Sequence, residues 1–266
     1  MKAVDSDQLL RHIPAIDQED YKSHTHPLNC DQPRFYWIFK NMDFERWYSA
    51  NYDGLEALWV SGPAESQISD ASSRIVDLAR EKPSQAQHLV LYFFCSTVPT
   101  EASISIIFVS TIIDQLIRHL PRLKGEVTMV FLRTLLDTII RDEPLSDPEW
   151  SHVKSDDSSE ATVKKVLEAS SNGYWHALRA VTDIVHGQDL SLIIDGLEEA
   201  GHQKREFIQE IYSFLGHLRE RHSTTRVLLT SQPQAETKDI FGRLPGIEYD
   251  RERKGLTLLI SYSLGR

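Results

Sequence analysis

LEALWVSGPAESQISDASSR, residues 55–74, decides how the chain is read. Leu58, Trp59 and Val60 form a short run of large apolar side chains, which predicts a buried strand entering a turn at Ser61-Gly62. A helix is expected to follow. A phosphate-binding loop between a strand and a helix has a glycine, four variable residues, then Gly-Lys-Ser or Gly-Lys-Thr. Laid on Gly62, that frame puts Gln67 at the second glycine, Ile68 at the lysine and Ser69 at the hydroxyl. Only the first and last positions keep the residue the frame calls for.

The 266 residues allow one large α/β domain or two small ones. A formal net charge of -10 and the lack of basic clusters argue against nucleic acid or an anionic membrane as the main partner. The opening stretch MKAVDSDQLLRHIPAIDQED has charges throughout and no continuous apolar core, so no signal peptide is expected. The most apolar segment, 104–117, is interrupted by Ser105 and Ser110 and is shorter than the roughly 20 residues of a membrane span. Two cysteines, Cys30 and Cys95, do not make a disulfide framework, and a cytoplasmic location is expected.

Candidate strands recur with helices between them, the pattern of a parallel sheet covered on both faces. The strands are expected at 58–61, 88–95, 190–194 and 226–230, with a weaker fifth at 246–250 or 256–261. Helices are expected near 69–81, 102–120, 125–141, 160–186 with a break at Ser171-Asn172-Gly173, and 203–221. The acidic, serine-rich run 146–161 reads as an exposed loop. Residues 1–50 read as a lead-in whose aromatic segment, from Phe35 to Tyr48, packs on the main domain, and 51–266 as that domain.

In an open parallel sheet a ligand sits beyond the carboxyl ends of the strands, so polar residues there need explaining. SLIIDGLEE, residues 191–199, carries the chain to Asp195 and then to Glu198 and Glu199. An acid at that place can hold Mg²⁺ or its water shell, and a second acid can orient an attacking water. RVLLTSQP, residues 226–233, turns polar at Thr230, Ser231 and Gln232, a strand end able to face a terminal phosphate, though such hydroxyls also satisfy local backbone groups.

Several ordered pieces carry a resemblance: HPLNCDQPRFYWIFKNMDFERWY, the 55–69 stretch, LVLYFFCSTVPTEASISIIFVSTIIDQLI, LSLIIDGLEEAG and RVLLTSQP. Across roughly 20–250 the chain resembles the NACHT class of nucleotide-binding domain. It resembles the fungal form, whose amino-terminal segment is described as nephrocystin-3-like, found in NOD-like immune receptor and heterokaryon-incompatibility proteins. The resemblance implies a P-loop NTPase-like fold: a parallel five-stranded sheet with helices on both faces, truncated relative to the family. The Asp195 strand is expected to be central, beside the Gly62 or the Thr230 strand. Residual catalytic candidates are Glu198 and Glu199, and Asp195 with Ser69 would hold the metal if Mg-nucleotide binds.

The departures from the family pattern weigh on function. Ile68 stands where the family has its lysine, Gln67 where it has a glycine, and Gln232 where it has an arginine, while Glu65 adds a negative charge to the loop. A lost charge-assisted contact costs about 2–5 kcal/mol, and about 4 kcal/mol moves a micromolar site to about the millimolar range. The expectation is therefore a pseudo-nucleotidase: an interaction or regulatory module with no effective ATPase cycle, no cofactor and a protein partner. Self-association would follow from apolar surface left on the last helix and strand. Two other readings stand beside it, a weak switch domain binding Mg-ATP or Mg-GTP and a functionless remnant of a longer receptor-like protein. His24, His26 and Cys30 lack a fourth zinc ligand nearby. Cys95 reads as a small buried hydrophobe.

Overall fold

A computed structural model of the chain describes residues 14–19, 22, 36–49, 54–81, 88–99, 103–142, 170–185, 188–221 and 224–249. Their contacts divide into two compact units, one taken from Met1–Ala15 and Ser105–Val185, the other from Ile16–Ile104 and His186–Arg266. The second alternative for the fifth strand and the His24, His26, Cys30 group lie outside the described residues.

In order, the elements are α1 (Tyr36–Phe39), α2 (Met42–Ser49), β1 (Gly54–Ser61), α3 (Ile68–Glu81), β2 (His88–Phe94), α4 (Ile104–His119), α5 (Lys124–Asp142), α6 (Ser171–Ile184), β3 (Asp189–Asp195), α7 (Lys204–Arg221), β4 (Thr224–Ser231), α8 (Ala235–Phe241) and β5 (Gly246–Glu248).

The Ser105–Val185 unit is helical. Its α4 is apolar on nearly every side and correspondingly buried, as a helix without a polar face must be. Phe108 meets Trp175 of α6 at 5.2 Å between ring centroids, and Phe131 of α5 meets Tyr174 edge-on at 5.8 Å. The expected break at 171–173 is a helix start: Ser170 Oγ accepts from the Gly173 N–H and caps α6. Among the described residues no single helix is long and apolar enough to cross a membrane.

The other unit is built on the five-stranded sheet, in the order β2-β3-β4-β1-β5 with every pairing parallel. Strand alternation divides its side chains between two faces. Leu58, Val60, Val90, Tyr92, Phe94, Ile193 and Leu228 pack with Ala71, Ile75, Val76 and Ala79 of α3. On the opposite face Phe93 meets Phe207 of α7, whose buried positions 207, 208, 211, 214, 215 and 218 follow the helical period. The sheet thus carries helices on both faces, a P-loop NTPase-like α/β arrangement. Strand β3 lies beside the Thr230 strand and not beside β1.

The aromatic segment belongs to this core. Trp37, Phe44 and Trp47 are buried against the α3 side, with Phe39 and Tyr48 half-buried beside them. Trp47 Nε1 donates to the Glu56 carbonyl at 3.2 Å, on a stretch of β1 that β5 does not reach. β1 starts four residues earlier than its apolar run suggests because it pairs with β4 along its whole length, from Gly54–Thr224 to Ser61–Ser231.

Candidate functional site

Parallel pairing brings Ser61, Phe94, Asp195 and Ser231, the last residues of four strands, to one end of the sheet. Strand parity decides which way each side chain points. Asp195 and Thr230 have the parity of Ile193 and Leu228, so they face α3, whose first turns follow directly on the Gly62 loop.

There the Asp195 carboxylate, 1% exposed, accepts from Ser72 Oγ at 2.7 Å and from Thr230 Oγ1 at 2.5 Å, and also from Ser69. Burial pushes its pKa up, and the three hydroxyls pull it back only in part. Thr230 Oγ1 also accepts the Gly196 N–H at 3.2 Å. Gly196 is left-handed, with φ 73°, the geometry that lets the chain leave the strand immediately after Asp195. Ser231 has the opposite parity, and its Oγ accepts from Trp59 Nε1 at 3.0 Å.

The two glutamates have different surroundings. Glu198 lies against the backbone N–H of Gln232, and its Oε2 is buried with no hydrogen-bond partner among the described residues. Glu199 is exposed and hydrogen-bonded by Ser96. Burial raises both carboxyls, and the neighbouring acid charges raise them further. Cys95 is fully buried, its thiol pushed up by burial and by Asp195, Glu198 and Glu199. Among the described residues no group of three or more His, Cys, Asp and Glu is arranged to hold a metal ion.

The loop itself is compact. The Ser66 N–H and Oγ both donate to the Pro63 carbonyl, at 2.9 and 2.6 Å. Gln67, at the second-glycine position, has φ 54° and ψ 40°, and it is the described non-glycine residue with positive φ. Ile68 is 8% exposed and packs in the core cluster with Trp37, Leu58 and Ile247. A Cβ on Gly62 would come within 2.7 Å of Ser66 Oγ, 2.9 Å of Ile68 Cδ1 and 3.0 Å of Tyr249 Cβ, so a side chain there would force the Ser66 and Ile68 side chains to shift. Trp37 and Tyr249 rings stand 5.2 Å apart nearby, and the Tyr249 N–H donates to the Ser61 carbonyl at 2.8 Å.

Residues 34–134 match the family Nephrocystin 3, N-terminal. The matched stretch runs from α1 through β1, the Gly62 loop, α3 and β2 into α5. Asp195 and Thr230 lie beyond the nephrocystin-3 match and join it through Ser69 and Ser72. No curated protein matches the chain.

Of the residues singled out in the sequence, Ser69, Asp195 and Thr230 share one hydrogen-bonded group, and Gln232 meets Glu198 through its backbone. Ile68 is turned into the core. Sequence reasoning missed Ser72, although its spacing of three from Ser69 puts both on one helix face, and it missed Ser66, which the loop frame treats as variable.

Proposed function

We propose that the chain is a NACHT-like interaction or regulatory module with no effective ATPase cycle, acting through a protein partner. The observation that carries this reading is the state of the Gly62 loop. A phosphate loop presents backbone N–H groups and a lysine to the anion, whereas here the Ser66 N–H is spent on Pro63 within the loop and the lysine position is an isoleucine buried in the core. Glu65 and the acids Asp195, Glu198 and Glu199 add charge of the wrong sign for a polyphosphate. Residues of this kind do not fit Mg-nucleotide held as the family holds it.

One contact favours a second reading, a weak Mg-ATP or Mg-GTP switch. Ser69, the residue that would hold Mg²⁺, is hydrogen-bonded to Asp195, the acid that would share it. Calorimetric titration with Mg-ATP and Mg-ADP separates the two. The proposal expects binding no tighter than about millimolar and no hydrolysis above background; saturable low-micromolar binding would overturn it.

A further inference from the structure

Strand β2 lies at an edge of the sheet and ends at Phe94. The Phe94 N–H donates to Gln18 Oε1 at 2.8 Å, and Gln18 Nε2 donates to Thr97 Oγ1 at 2.9 Å. Thr97 Oγ1 in turn donates to the Phe94 carbonyl at 2.7 Å. A carboxamide offers the same kind of acceptor and donor as a peptide group. Gln18, 2% exposed, therefore meets the tip of the edge strand as a neighbouring chain would.

Two charged side chains extend the grip. Glu19 Oε1 accepts from Arg80 Nη2 on α3 and from Tyr92 Oη on β2, both at 2.5 Å. Lys22 Nζ lies 2.5 Å from Asp77 Oδ1 on α3 and 3.4 Å from Glu19 Oε2. The turn held by Gln18, Cys95–Thr97, has a second attachment: Ser96 hydrogen-bonds the Glu199 carboxylate, and Val98 and Pro99 line one small cavity with Glu199 and Ala200.

We infer that Gln18, Glu19 and Lys22 form a strap that sets the Cys95–Thr97 turn and, through Ser96, the position of Glu199 at the acidic end of β3. Lifting the strap removes the acceptor of the Phe94 N–H and one partner of Thr97, and a buried donor left without an acceptor drives local opening. The turn then moves, and Ser96 with it. Whatever engages the amino-terminal segment thereby acts on the acidic end without touching it. This device does not depend on whether the Gly62 loop binds nucleotide.

Hydrogen exchange followed by mass spectrometry on the full chain tests the strap, comparing wild type with Gln18→Ala and with the milder, isosteric Glu19→Gln. The strap predicts that Gln18→Ala speeds exchange by at least about tenfold in peptides covering 93–99 and 196–203. Peptides covering 70–76 and 225–230 should hold their rates. Adding Ser96→Ala to wild type should reproduce the change in 196–203 alone. Glu19→Gln should give the Gln18→Ala pattern at smaller amplitude, which keeps the test open if Gln18→Ala fails to fold. Faster exchange confined to 93–99, or none in either segment, would overturn the link to Glu199.

Discussion

Ser72 Oγ donates to the Asp195 carboxylate at 2.7 Å across 123 positions of sequence. With Ser69 and Thr230 it makes Asp195 a clasp between the start of α3 and the ends of β3 and β4. The amino-terminal end of a helix favours negative charge, so the carboxylate serves the fold whether or not a cation ever joins it. Asp195→Ala should cost about 1–3 kcal/mol by leaving buried hydroxyls without their acceptor. Asp195→Asn, which keeps one oxygen, should cost less. Chemical denaturation of the two variants measures the difference.

The acids divide by the sign of their effect on stability. Asp195 and Glu198 have raised pKa values in the fold, chiefly from burial, and Glu199, which is exposed, is raised too but with its effect on stability reduced by solvent screening. Their contribution is full below their ordinary values and falls away as pH rises through the raised ones. Glu19 is the opposite case. Burial pushes it up, but the Arg80 and Tyr92 hydrogen bonds and the Arg80 and Lys22 charges bring it from 4.5 down to about 2. Its contribution, reduced by solvent screening, is present above pH 4.5 and lost as pH falls toward 2. Unfolding midpoints across pH should flatten on the acid limb in Glu19→Gln and lose part of their decline with rising pH in Asp195→Asn.

Gln67 sits in left-handed backbone, a conformation costing a residue with a side chain about 1–2 kcal/mol. Gln67→Gly removes that cost while adding about 0.4–1 kcal/mol of unfolded-chain entropy. A net gain of about 0.5–1 kcal/mol is expected. Gln67→Val, β-branched, should destabilise. Opposite signs in urea denaturation check the local geometry without reference to any ligand.

Ile68→Lys places an ammonium where the side chain packs with Trp37, Leu58 and Ile247. Lost burial and desolvation should cost about 2–4 kcal/mol. Combined with Gln67→Gly it rebuilds the phosphate-loop frame, and the pair should bind Mg-ATP at least about tenfold more tightly than wild type. Titration of both proteins under the same Mg²⁺ conditions, with circular dichroism confirming folding, reads the gain. Equal affinity would show either that the frame laid on Gly62 is wrong or that the loop cannot reopen.

Trp47 contributes packing and one edge hydrogen bond, to the Glu56 carbonyl. Trp47→Ala should cost about 3–5 kcal/mol. Trp47→Phe, which keeps most of the ring but not the donor, should cost less. Thermal unfolding of the pair separates packing from edge protection.

What the sequence determined by itself was the alternation of strands and helices, because continuous apolar runs ending in Ser-Gly, Asp-Gly or Thr-Ser mark buried strands and their polar ends locally. It also placed Asp195 and Thr230 at those ends. Tertiary structure alone decided that Ser72 meets Asp195, that Ile68 turns into the core, and that Gln18 seals β2. These outcomes depend on which residues stand opposite one another after strands distant in sequence have paired. A serine, an isoleucine or a glutamine carries no local mark of the partner that pairing will bring to it.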